Sequence, residues 1–156
     1  MLNHQSMLIP VLISLGVIFV TICIHGSATV WGVKLLLRKS ATPNHQMKLN
    51  TALYLLSVSA IFLMILHFIE IAIWAVVFMI IPDIKELANF EEAIYFSMIT
   101  YTTVGYGDIT LGTHWRIMSG FMAMDGIMLF GWSSAMLYTV VQRILLKINP
   151  NSSIGQ

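Results

Sequence analysis

The run Thr102-Thr103-Val104-Gly105-Tyr106-Gly107-Asp108 carries the densest chemistry in the chain. It reads as a ladder of oxygens. Glycine at alternate positions opens backbone dihedrals closed to other residues, so successive carbonyls can point to one side and replace the water shell of a cation. Thr102 and Thr103 add hydroxyl oxygens at the start of the ladder. A second set of candidates stands in apolar surroundings: His25, the pair His67 and Glu70, and Asp125. His67 and Glu70 are three residues apart, which puts them on one helix face. An ionisable group in hydrocarbon is costly, so Glu70 is expected to face protein. It reads either as a proton-linked or gating element or as a buried Glu–His pair that sets how its helix packs. His25 reads as a packed histidine bonded to a backbone carbonyl or as a pH sensor.

The elements that must position these residues are membrane spans. The chain has 156 residues, 58% of them apolar and 10% charged, against about 25% charged in ordinary globular proteins. A net charge of +1 gives no reason to expect nucleic acid as a partner. Cys23 offers neither a disulfide framework nor metal-ligand spacing. There is no Ser/His/Asp or Cys/His arrangement outside the apolar runs, so no enzyme is expected, and no cofactor.

Met7 to Val33 contains no Asp, Glu, Lys or Arg and is long enough to span a bilayer with tilt. Without a basic segment before it, it reads as a retained helix rather than a signal peptide. Lys34 to Lys48 reads as a loop holding half of the 8 basic residues. The positive-inside rule then makes this loop cytoplasmic and the amino terminus external. Leu49 to Ile81 is a second span, stopped by Pro82. Asp83 to Glu92 is acidic and external by the same topology. Glu92 to Thr102 is too short to cross, and reads as a re-entrant helix that leads irregular backbone to a water-filled path. Trp115 to Lys147 is the third span, with Arg143 and Lys147 at its cytoplasmic end; residues 148–156 read as a short cytoplasmic tail.

Thr103-Val104-Gly105-Tyr106-Gly107 resembles the selectivity filter of the potassium-channel pore family, and its neighbours on both sides fit. The resemblance covers Leu49 to Lys147, with residues 1–48 an extra amino-terminal helix and basic loop, as in a small prokaryotic three-span member. It implies an all-α membrane fold: three transmembrane helices plus a re-entrant pore helix and filter loop, assembled as a homotetramer in the cell (inner) membrane. Leu49–Ile81 would be the outer helix, Glu92–Thr102 the pore helix and Trp115–Lys147 the inner helix. It implies potassium ions coordinated at Thr103, Val104, Gly105 and Tyr106, with Gly107 completing the motif. Tyr95 and Phe96 match the aromatic pair that braces the filter with Tyr106, while Thr102 and Asp108 flank it. Gly126 matches the hinge glycine of the inner helix, though a plain packing glycine also fits.

Two positions depart from the family pattern. Ile99 stands where many members carry a carboxylate, so Asp108 is expected to lack that partner. Asp125 is an acid near mid-membrane. It is expected either to face the cavity, concentrating potassium or polyamines, or to bond His67 or a pore-helix hydroxyl behind the pore. The implied activity is passive potassium conduction. The alternatives are a weakly selective cation channel and a non-conducting or transporter-associated subunit.

Overall fold

The computed structural model describes residues 4–39 and 48–148. They form four helices: α1 (His4–Lys39), α2 (Leu49–Ile80), α3 (Phe90–Tyr101) and α4 (Arg116–Ile148). No strand occurs among the described residues. Three helices, over Met7–Leu35, Leu49–Ile80 and Arg116–Ile148, are long and apolar enough to cross a membrane. The fold is all-α.

The long helices form because their backbone groups have no other partner in lipid. Some hydroxyl side chains follow the same rule. Ser14 donates to the Pro10 carbonyl at 2.8 Å and Ser59 to the Leu55 carbonyl at 2.8 Å, so polar atoms are satisfied inside their own helix. The first helix runs further than expected. Its last turns take in Lys34–Lys39, because a run of three leucines flanked by basic residues is made of good helix formers, and basic residues suit the negative carboxyl end of a helix. Residues 40–47 of the expected loop and the tail from residue 149 lie outside the described residues.

Helix α2 stops where expected, for a local reason. Ile81 precedes Pro82 and takes an extended backbone, φ −84° and ψ 109°, as the proline ring requires of its neighbour. Helix α3 starts with reciprocal capping. The Asn89 side chain accepts from the Glu92 N–H at 3.0 Å, and the Glu92 carboxylate accepts from the Ala88 N–H at 2.7 Å. Glu91 and Glu92 also place negative charge in the first turn, where the helix dipole favours it. At about 1.5 Å per residue, the 12 residues of α3 reach about 18 Å, short of the roughly 30 Å of hydrocarbon.

Helix α3 packs against α2 and α4, and α1 packs against α2 and α4. The main core joins Trp74 and Phe78 of α2, Ala93, Phe96 and Tyr101 of α3, and Met118 and Met122 of α4. A smaller cluster of Ala52, Val140 and Ile144 holds the opposite ends of α2 and α4 together. In lipid these contacts gain by close packing rather than by escape from water. Gly32 serves that end, since a side chain there would press on the Phe62 ring at 3.1 Å.

Candidate functional site

The Thr102–Asp108 loop begins at the carboxyl end of α3. Backbone bonds tie it to that helix: Thr103 N–H donates to the Thr100 carbonyl at 2.9 Å, and Gly105 N–H to the Ile99 carbonyl at 3.0 Å. Positive φ angles then recur at every second residue: Thr103 at 62°, Gly105 at 55° and Gly107 at 78°. Positive φ at alternate residues is the pattern that allows successive carbonyls to point to one side. Gly105 and Gly107 are the places where glycine is required. Thr103 takes the same conformation with a β-branched side chain, which is uncommon. A non-glycine residue held there reports a loop whose geometry is over-determined by its surroundings.

Val104 is 53% and Tyr106 73% exposed in the single chain. Two large apolar side chains at the tip of a tightly bonded loop stand open to contact. Thr102 does not extend the ladder: its hydroxyl donates back to the Met98 carbonyl at 2.7 Å and closes the end of α3. Phe96 is buried, edge-on to Phe78 with centroids 5.5 Å apart. An open pocket of about 490 Å³, lined by Phe96, Ile99, Gly105, Gly107, Leu111 and Ser119 among others, adjoins the loop.

Asp108 has a partner after all, although Ile99 cannot supply one. The hydroxyl of Tyr95, also on α3, donates to Asp108 Oδ2 at 2.7 Å. That hydroxyl holds the Asp108 carboxyl below the usual carboxylate range, helped by the backbone N–H groups of Asp108 and Ile109. The same bond pushes the Tyr95 phenol above its ordinary value. Tyr95 thus braces the loop by a bond to its far end.

Asp125 corrects the expectation that it faces a cavity. It is buried between α1 and α2. Trp74 Nε1–H donates to its Oδ2 at 2.9 Å, and the Thr21 hydroxyl lies 3.0 Å from the same oxygen. Neither His67 nor a hydroxyl of α3 is its partner. A carboxylate enclosed by its own chain cannot also line a space between chains. Gly126, beside it, sits where α4 meets the end of α3. A Cβ there would run into the carbonyl oxygen of Tyr101. The glycine is needed for that close approach, and α4 passes through it as one continuous helix.

Behind the loop lies a third feature. His67 and Glu70 meet as their spacing required, with His67 Nδ1 2.9 Å from Glu70 Oε2. His25 reaches across from α1, its Nδ1 2.8 Å from Glu70 Oε1, so its partner is a carboxylate and not the expected backbone carbonyl. Tyr101, the last residue of α3, donates its hydroxyl to Glu70 Oε2 at 2.7 Å. On the other side of the imidazoles, Ser133 Oγ lies 2.9 Å from His67 Nε2 and 3.3 Å from His25 Nε2. Trp132 stacks edge-on to His25 and Phe130 packs on His67, closing the group off. All four helices contribute a side chain. His25 and Ser133 were beyond the reach of local spacing, since their link to Glu70 spans most of the chain.

Among known proteins, the comparison that answers is with a family. Residues 64–143, from the middle of α2 through α3 and the loop into α4, match the family model described as an ion channel. No curated protein matches, and no solved structure does. The matched segment contains the short helix, the loop of alternating positive φ that follows it, and parts of the two long apolar helices packed against that helix. The chain belongs to the ion channel family.

Proposed function

We propose that this protein is a potassium-selective channel in which four chains surround one axis, each giving a quarter of the filter. Thr103, Val104, Gly105 and Tyr106 supply the oxygens that replace the hydration shell of a potassium ion, and Gly107 completes the run. The observation that carries this reading is the alternation of positive φ at Thr103, Gly105 and Gly107, the backbone pattern that lets the carbonyls of a Thr-Val-Gly-Tyr-Gly sequence line up. The carboxyl end of α3 aims its negative dipole at the mouth of that row, which favours a cation there. The exposure of Val104 and Tyr106 supports assembly, because such side chains become buried when copies of the loop meet. The amino terminus and the acidic Asp83–Glu92 loop lie outside, and the basic ends of α1 and α4 lie in the cytoplasm.

The test is full-length protein in liposomes under opposed potassium and sodium gradients. Selective conduction drives the membrane to the potassium equilibrium potential. A reversal potential indifferent to which ion is present would mean a weakly selective cation channel, and no current would mean a non-conducting subunit.

A further inference from the structure

The Glu70 group is a closed ring. Glu70 Oε1 leads to His25, His25 to Ser133, Ser133 to His67, and His67 back to Glu70 Oε2. Its hydrogens can be counted. The carboxylate accepts from His25 Nδ1–H, His67 Nδ1–H and the Tyr101 hydroxyl, which puts a hydrogen on Nδ1 of both imidazoles. Both Nε2 atoms then face one hydroxyl, that of Ser133. A hydroxyl carries one hydrogen and can satisfy one nitrogen. With both imidazoles neutral, the other Nε2 lone pair confronts the serine oxygen, at a depth where an unpaired polar group is expensive.

One added proton resolves the conflict. The protonated Nε2–H donates to Ser133 Oγ, and the serine O–H donates to the other Nε2. Every polar atom in the ring is then paired. The charges also cancel, carboxylate against imidazolium, as a site between spanning helices requires. A second proton would leave a net positive charge and turn the serine hydroxyl away from both rings. The groups facing the ring from each helix are His25 on α1, His67 and Glu70 on α2, Tyr101 on α3 and, further off, Asp125 on α4, which is occupied by Trp74 and Thr21. A metal ion is a poorer occupant. The candidate ligand atoms of His25, His67 and Glu70 lie within 4.8 Å of one another, but their direct contacts of 2.8 and 2.9 Å are those of hydrogen bonds in which each Nδ1 carries a hydrogen and the carboxylate oxygens already accept.

We propose that the ring of Glu70, His25, Ser133 and His67 is a binding site for one proton per chain, shared between the two imidazoles, and that it couples the first helix to the filter. The coupling runs through Tyr101. Its hydroxyl is held by Glu70, its carbonyl lies against Gly126, and Thr102 and Thr103 follow it directly. Stripping the proton sets His25 or His67 against Ser133 and loosens the anchor of the filter's first residues. For its effect on conduction the inference rests on the reading above; for the binding of the proton it does not.

Solid-state NMR of the full-length, ¹⁵N-histidine-labelled protein in lipid bilayers reads the proton directly, with His25→Gln and His67→Gln assigning the signals. The expected result at neutral pH is one imidazolium per chain, divided between His25 and His67, lost from both in one shared step as pH rises. In Glu70→Gln the imidazolium is absent, and in Ser133→Ala, without the hydroxyl that bridges the two rings, the histidines no longer share one step. Potassium flux into liposomes falls over the same pH range in the wild type and loses that dependence in Tyr101→Phe, while the NMR step persists. Two buried histidines that stay neutral throughout, or that titrate independently, would overturn the site. An intact NMR step with the same pH-dependent flux in Tyr101→Phe would overturn the coupling. A protein that carries no current but shows the shared imidazolium would refute the channel reading and leave the proton site standing.

Discussion

The Tyr95 hydroxyl donates to the Asp108 carboxylate across 2.7 Å, joining the middle of α3 to the far end of the loop that α3 launches. The loop is therefore clamped at both ends, by backbone bonds at Thr103 and Gly105 and by this side-chain bond beyond Gly107.

Tyr95→Phe tests the second clamp. Because the Asp108 carboxyl is held low by Tyr95, the bond adds stability that is fully present above the ordinary carboxylate range. It is lost as pH falls through the lowered value. Removing the hydroxyl raises the Asp108 carboxyl toward its ordinary value. Flux in Tyr95→Phe should therefore stand at the unclamped level already at neutral pH, without the acid step that the wild type shows as this bond is lost. Coincident acid profiles would show that the bond does not hold the loop.

Gly126→Ala tests the meeting of α4 and α3. The added methyl collides with the Tyr101 carbonyl, a backbone atom that cannot turn aside, and overpacking of this kind costs about 1–3 kcal/mol. Gly131→Ala is the comparison, since nothing lies within 4 Å of a Cβ there. Thermal melts of the detergent-solubilised protein should drop for Gly126→Ala and hold or rise for Gly131→Ala. Equal melts would mean that the close approach is unimportant.

Asp125 should matter for folding and not for conduction block. Asp125→Asn keeps an oxygen for the Trp74 N–H and should leave block by internal spermine unchanged. Asp125→Leu leaves that buried N–H without its acceptor, at a cost of about 1–3 kcal/mol. Changed spermine affinity in Asp125→Asn, with unchanged stability in Asp125→Leu, would return the carboxylate to the cavity.

These corrections mark how far the sequence could be read. The spans were legible because uncharged runs of that length have few homes outside a bilayer. The loop was legible because the requirement for left-handed backbone at Gly105 and Gly107 is written as glycine. The His67–Glu70 pair was legible because helical spacing is local. The direction of Asp125 was not. Helix α4 is apolar on most faces, so periodicity does not say which side meets α1 and α2. Nor was the role of Gly126, which depends on the Tyr101 carbonyl of another helix. Thr102 was misread because a hydroxyl can serve an ion or its own helix, and the Met98 carbonyl was the nearer partner. The ring remained invisible as a ring because His25 and Ser133 come from the first and last helices, brought together only by packing.

The carbonyl row is the central claim, and the reversal potential of the reconstituted full-length channel tests it most directly. With potassium on one side and sodium on the other, the account predicts a potential that tracks the potassium gradient, and the loss of that selectivity in Gly105→Ala, whose φ of 55° costs an L-residue about 1–2 kcal/mol. A wild-type potential that stays near zero when sodium replaces potassium would contradict it.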